Sequence, residues 1–325
     1  MSRGPRFTWA GLRPLGGAAI LAVLVWRLGT GPFLAGVRGI NGWALVAAAS
    51  ITALTTVCSA WRWRTVAGGL GIRLPLRTAV AAYYRSQFLN SALPGGVVGD
   101  VHRGVRHGLD AGDLGLGLRA VAWERAAGSG VFAVVALGTL VLLDSPVHPA
   151  MGAVLAAVVT GAVCVAVVLR TVRADGPTRR ARVLRAVRSD VRHGLLDRRT
   201  WPVVALTSAA VALGHAGIFL VAAATVGVHA APAVLWPLAM LVLLAMTIPL
   251  SVGGWGPREG VAAWVFAAAG LGADQGIATA TAFGVLGLAA TMPGALVLAI
   301  DRIRRGATRP GTDADVGGVA DVPAT

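Results

Sequence analysis

The sequence predicts an all-α, polytopic transmembrane helix bundle. Of its 325 residues, 56% are hydrophobic and only 13% charged, and the mean hydropathy is +0.72. Soluble domains carry roughly 25% charged residues, so this chain cannot cover its surface with polar groups and lipid must be its main solvent. Several apolar runs reach the length of about 20 residues that a helix needs to cross a hydrocarbon core. Two others, within 83–103 and 247–259, are broken by proline and glycine and then closed by an acid and an arginine.

Taken in order, residues 1–14 form a short N-terminus carrying Arg3, Arg6 and Arg13, expected in the cytoplasm. The run 15–34, interrupted by Arg27, is longer than the roughly 7–15 residues of a signal-peptide core, which makes it a retained signal anchor. Residues 43–60 form the second span, ending in Trp61-Arg62-Trp63-Arg64, an aromatic and cationic anchor suited to the headgroup layer. The spans 120–143 and 149–169 follow, separated by the turn 144–148, and 201–226 is the fifth. The runs 79–93, 233–248 and 260–271 are short for a crossing, the first two stopping at Pro94 and Pro249. Residues 276–300 are a full-length last span. The membrane domain is therefore 15–300, in halves of 15–143 and 149–300, and the Gly-, Asp- and Pro-rich tail 301–325 is expected to be disordered.

Charge sets the orientation. The formal net charge is +15, and all 29 basic residues are arginines. They cluster in the N-terminus, in 62–77, 103–119 and 170–199, and after 300, whereas the connections 36–42, 144–148 and 227–232 hold only Arg38. The positive-inside rule then puts both termini in the cytoplasm. With that orientation, 79–100 is a re-entrant hairpin dipping in from the cytoplasm and 233–271 a hairpin entering from outside. The two halves become an inverted repeat, an arrangement that builds substrate sites between discontinuous helices near the midplane. In the basic segment 170–200, Val183, Val187, Val191 and Leu195 recur at i, i+4, as in a helix lying on anionic membrane lipids; a linker that only sets topology is the alternative. No aromatic-interleaved basic pattern points to nucleic acid.

Irregular backbone at membrane depth survives only where protein or a watery cavity satisfies it. Pro94-Gly95-Gly96 and Gly253-Gly254-Trp255-Gly256-Pro257 therefore imply a cavity, or else tight helix packing. Helix ends exposed there offer N–H groups to an anion. Arg85, Arg103 and Arg258 are the candidate phosphate ligands, since a guanidinium fork matches a phosphate in two-point fashion, although Arg103 could equally snorkel to the interface. Asp100 and Glu259 either pair with these arginines, bind a cationic headgroup or carry a proton. Glu124 and Arg125 open a span and read as an interfacial or interhelical ion pair. His102 and His215 are either proton carriers or packing residues. Cys58 and Cys164 are isolated in apolar runs and read as packing residues, with no metal or disulfide framework. No GxSxG, HExxH, Walker loop or nucleotide fingerprint is present, so neither catalytic residues nor cofactors are expected.

Phe88-Leu89-Asn90, Pro94-Gly95-Gly96, Gly99-Asp100 with Arg103, Glu124-Arg125, and Pro249 with Gly253-Gly254-Trp255-Gly256 before Arg258-Glu259 together resemble the bacterial lysylphosphatidylglycerol synthase transmembrane family, also described as flippase-like. The resemblance spans 15–300. It implies a cytoplasmic-membrane protein that moves phospholipid between leaflets, without the soluble domain that aminoacylates the lipid. The expected function is translocation of a phospholipid or polyprenyl-phosphate-linked lipid, with Arg85, Asn90, Gly95, Gly96, Asp100, Arg103, Gly253, Gly254, Arg258 and Glu259 as the binding set. An ion-coupled small-solute transporter and a non-transporting partner of lipid or glycan enzymes are the alternatives, with an intramembrane enzyme behind them.

Overall fold

The computed structural model describes residues 9–93, 96–150, 179–247 and 255–307, together with isolated positions between 152 and 167. Among the described residues the regular structure is helical. Helix α1 (Trp9–Leu28) turns into α2 (Gly31–Arg38), followed by α3 (Gly42–Gly69), α4 (Leu76–Ala92), α5 (Val98–Asp110) and α6 (Leu114–Leu142). The later part holds α7 (Arg179–Ser189) with a π-helical continuation at Asp190–Leu195, α8 (Thr200–Thr225), α9 (Pro232–Ala245), α10 (Pro257–Ala268), α11 (Ala273–Ala290) and α12 (Pro293–Ala307).

Among the described residues, four helical stretches are long and apolar enough to cross a membrane: Gly42–Gly69, Leu114–Leu142, Thr200–Thr225 and Ala273–Ile303. The chain is thus a multi-pass helical membrane protein. Local sequence sets several of the helix starts. The Asn41 side chain accepts from Ala44 N–H at 3.2 Å, and the Asp113 side chain from Leu116 N–H at 2.9 Å, each satisfying an otherwise orphaned donor. α9 and α10 both open on proline, whose missing N–H is no loss in the first turn.

The first expected span is corrected. Instead of one helix over 15–34, α1 ends at Leu28 and the chain bends by 98° into α2. Gly29 makes the bend with φ 73°, a left-handed backbone open to glycine, and Pro32 starts the next helix. The connection expected at 36–42 is consequently half helical, and α2 packs on α11. The span expected at 149–169 lies largely outside the described residues. The broken stretch 83–103 is more regular than its Gly and Pro content suggests: helix continues to Ala92 and resumes at Val98. The last span is helical through Ala307, with an irregular turn at Thr291–Met292 between α11 and α12.

At the centre α3 packs along α8. The contact is close because small residues meet there: a Cβ at Gly214 would overlap the Thr55 methyl group. The broken pair α4/α5 packs between α3 and α6, and the broken pair α9/α10 between α8 and α11. Besides α3 on α8, the halves meet where α2 and α3 pack on α11, α4 on α12, and α6 on α8 and α9. Around α8 to α11 the interior is apolar, built on Phe219, Leu238, Met240, Phe266 and Phe283. Phe219 meets the rings of Phe266 and Phe283 at 6.2 and 5.9 Å between centroids. Within lipid such packing, rather than exclusion of water, holds helices together, so small residues at the contacts matter most.

The α5–α6 contact is the tightest example. A Cβ at Gly117 would fall on the backbone of Gly108 and on the Gly104 carbonyl, atoms that cannot swing away. Gly117→Val is therefore expected to lower stability by about 1–3 kcal/mol, the usual range for overpacking. Gly130→Ala, on the same helix with open space around it, should leave the midpoint unchanged. Thermal unfolding of both variants in detergent micelles checks the pair.

Candidate functional site

Four helices bring charge into the protein interior at one place. Glu124 of α6 is fully buried, with 0% exposure. Its Oε1 accepts from Arg62 Nε of α3 at 2.8 Å and from the Tyr83 hydroxyl of α4 at 2.7 Å, and its Oε2 accepts from Arg103 Nη2 of α5 at 2.9 Å. Arg62 also donates to Ser208 Oγ of α8 at 3.0 Å. The Arg103 guanidinium lies between two rings, 4.1 Å from the Tyr83 centroid and 4.5 Å from that of Trp63. A guanidinium this buried needs such partners to offset the hydration it has lost.

The break between α4 and α5 is held by side chains from both ends. Asn90 accepts from Gly99 N–H at 2.8 Å and donates to Asp100 Oδ2 at 3.1 Å, so one amide spans the gap. Asp100 Oδ1 accepts from Ser86 Oγ at 3.1 Å and from Arg103 Nη2 at 3.0 Å. Gly99 sits so close to Ser86 that a Cβ would overlap the Ser86 carbonyl. The break before α10 is closed more locally. Gly256, at φ 109°, donates its N–H to Glu259 Oε2 at 2.7 Å, and Arg258 Nε donates to Glu259 Oε1 at 2.8 Å. Arg258 stacks on Trp255 at 4.6 Å, and Gly284 of α11 leaves the room its guanidinium fills. Gly128 of α6 does the same for Arg62.

Residues of both broken segments meet at one cavity of about 340 Å³. Asn90, Gly96 and Asp100 line it from the first, and Trp255 and Arg258 from the second. Arg62, Arg125 and His215 complete its charged and titratable wall, with hydroxyl and amide groups from Thr52, Thr55, Ser59, Ser86 and Gln87. The wall therefore holds three arginines and one carboxylate, with Glu124 and Glu259 pairing Arg62 and Arg258 from behind it. It can receive an anion, and the hydroxyl groups can hydrogen-bond either donors or acceptors.

The expected binding set is thus divided. Asn90, Gly96, Asp100 and Arg258 share the cavity, while Glu259 is buried behind Arg258 and outside the cavity wall. Arg85 faces a different cavity and pairs with Asp301 of α12 at 2.5 Å, and Arg103 lines that second cavity as well. Gly95, Gly253 and Gly254 lie outside the described residues, as do Pro94 and Pro249. Asp100 pairs with Arg103 and Arg258 with Glu259, each within its own segment, and Asp100 and Arg258 share the central cavity. Glu124 pairs with Arg62 and Arg103 rather than with its neighbour Arg125, whose half-exposed side chain lies 3.5 Å from Asp100.

Arg62, Tyr83, Trp255 and Asp301 have no place in the expected set. Arg62 had the look of a headgroup anchor, yet it is 5% exposed. A signal was available: Thr52, Thr55, Thr56, Ser59 and Arg62 recur at helical spacing along an otherwise apolar helix, and all are buried. Such a polar stripe marks the face turned away from lipid. His215 Nδ1 lies 2.8 Å from the Val211 carbonyl on its own helix. Among the described residues no three His, Cys, Asp or Glu side chains gather as a metal site.

The family model described as the lysylphosphatidylglycerol synthase TM region matches residues 13–294. No curated protein matches the chain.

Because Glu124 neutralises two buried arginines, Glu124→Ala should destabilise the protein by about 3–5 kcal/mol, the range for breaking a buried ion pair from one side. Glu124→Gln keeps the acceptor oxygen and should lose less. Thermal midpoints in detergent, ordered wild type above Gln above Ala, check this.

Proposed function

We propose that this chain, which belongs to the lysylphosphatidylglycerol synthase TM region family, moves a phospholipid or a polyprenyl-phosphate-linked lipid between the leaflets of the bacterial cytoplasmic membrane. One observation carries the proposal: both broken helical segments contribute to a single polar, cationic cavity inside a bundle of membrane-length helices. Arginine at membrane depth is unfavourable by about 2.5 kcal/mol or more, and it is retained where a pathway or site needs it. A lipid headgroup crossing the bilayer needs such a path, because its phosphate must be solvated while its acyl chains stay in hydrocarbon.

In this mechanism Arg258, with Arg62 and Arg125 beside it, holds the phosphate by charge-assisted hydrogen bonds. Asn90, Ser86 and Gln87 take the place of headgroup water, and Asp100 balances the charge or meets a cationic headgroup. Arg85 and Arg103 lose the role first expected of them here, since they face the other cavity. With both termini in the cytoplasm, the first broken pair enters from that side and the second from outside, as in an inverted repeat. The packing supports this symmetry, because each pair is flanked by two long helices and the long helices cross-pack between halves. Opening the two pairs alternately would expose the cavity to one leaflet at a time.

Reconstitution into liposomes with a fluorescent phospholipid quenched by dithionite tests the proposal. Wild-type protein should expose inner-leaflet lipid, and the double variant Asp100→Ala, Arg258→Ala should do so at least about tenfold more slowly, a loss of about 1.4 kcal/mol in the barrier difference. Equal rates would sink the mechanism. Ion-dependent uptake of a water-soluble solute without lipid movement would favour a solute transporter instead.

A further inference from the structure

A second cavity, of about 780 Å³, lies on the other side of the Arg103 cluster between α3, α4, α5 and α12. Trp63 and Arg103 face it, whereas Arg62, Tyr83 and Asp100 face the central cavity. It is strongly basic: Arg73, Arg77, Arg85, Arg103 and Arg106 line it, against Asp110 and Asp301.

Two features of its wall ask for an anion. Arg103, Trp63 and His107 are all nearly fully buried, yet Arg103 Nε and Nη1, Trp63 Nε1 and His107 Nε2 have no hydrogen-bond partner among the described residues. These groups are neighbours, with the Trp63 and His107 rings 5.1 Å apart and Arg103 stacked on Trp63. Aromatic faces steady a guanidinium, but they give its N–H groups no lone pairs in the ring plane. Buried polar groups left unpaired are each unfavourable by about 1–3 kcal/mol, so three such side chains in one cavity wall, with Arg103 and Trp63 obligate donors, are unlike ordinary packing. The second feature is an anion already present. Asp301 Oδ2 of α12 sits between Arg85 Nη1 of α4 and Arg106 Nη1 of α5, at 2.5 Å from each. One carboxylate oxygen thus occupies the point where two arginines from different helices converge.

We propose that this second cavity is a binding site for a phosphate group, and that Asp301 is a built-in anion which competes with the ligand for Arg85 and Arg106. A tetrahedral phosphate has more acceptor oxygens than a carboxylate. It can take the two arginines from Asp301 and still has acceptors to spare for the unpaired groups that lie covered behind them in the same wall. Asp301 is the only acid of α12, so its displacement removes the ion pairs that tie this helix to α4 and α5 while leaving the close approach of Gly294 to the Tyr84 carbonyl and Phe88 Cβ as a pivot. The site thereby couples anion binding to release of α12. It does not depend on lipid movement through the central cavity, whose wall excludes Asp301.

The test measures binding of inorganic phosphate, and separately of dihexanoyl-phosphatidylglycerol below its micellar concentration, to the purified full chain in detergent by titration calorimetry. If Asp301 fills the site about nine-tenths of the time, Asp301→Asn should tighten binding roughly tenfold, because apparent affinity scales with the fraction of open sites. Arg106→Gln, at a partly exposed side chain with little risk to folding, should weaken it roughly tenfold by the same scale. Hydrogen exchange in α12 should rise on adding phosphate to wild type and be high without phosphate in Asp301→Asn. Binding of both probes points to a lipid headgroup, and binding of inorganic phosphate alone to a free anion; either supports the site. The proposal is overturned if neither probe binds, if Asp301→Asn binds no more tightly while eluting and unfolding like wild type, or if Arg106→Gln binds as well as wild type.

Discussion

Glu124 is the point on which the first half of the molecule depends. A carboxylate with no exposure in a low-dielectric interior is tolerable only when its charge is matched and its lone pairs are used. Here the match comes from three other helices at once, through Arg62, Tyr83 and Arg103. That requirement sets the rotation of α3, α4 and α5 about their axes relative to α6, and with it which side chains each helix turns inward. Gly128, which leaves space for the Arg62 guanidinium, and Ser208, which accepts from it, extend the same constraint to α8.

The second half meets the same problem differently. Arg258 and Glu259 are adjacent in sequence and neutralise each other, with the glutamate also capping its own helix through the Gly256 N–H. From α11 the pair receives only the Phe283 ring face and the space at Gly284, so the chain around α10 places a cation at the cavity wall without a wide charged network. Two solutions of unequal reach therefore face one cavity: a network over four helices on one side and a self-contained pair on the other. An asymmetry of this kind lets one side stay firm while the other is free to shift, which alternate opening would require.

Arg103 separates the central cavity from the second one. Its Nη2 bridges Glu124 and Asp100, its flat faces lie on Tyr83 and Trp63, and its Nε and Nη1 stay unpartnered beside the larger, basic cavity. A single residue thus links the acid of the first break, the buried glutamate and the second cavity. The charges on either side are coupled through it, because any ligand that draws on its open donors also alters its hold on Asp100.

What the sequence by itself determined were the properties that add up along consecutive residues. Low charge and long apolar runs established lipid as the solvent and helix as the only regular structure. Pro94 and the glycines around it, with their counterparts before Pro257, marked where helices break, and Asn90, Asp100 and Arg258 were legible as cavity-lining residues because polar groups beside such breaks need a cavity. Tertiary structure decided which charges pair and which cavity each one faces. Arg62 finds Glu124 across 62 positions, and Arg85 finds Asp301 across 216. Successive residues on a helix differ by about 100° in direction, so Trp61 is half exposed while Arg62, one step on, is buried. Composition and hydropathy do not record that angle; the packing of helix against helix sets it, through contacts as close as Gly108 on Gly117.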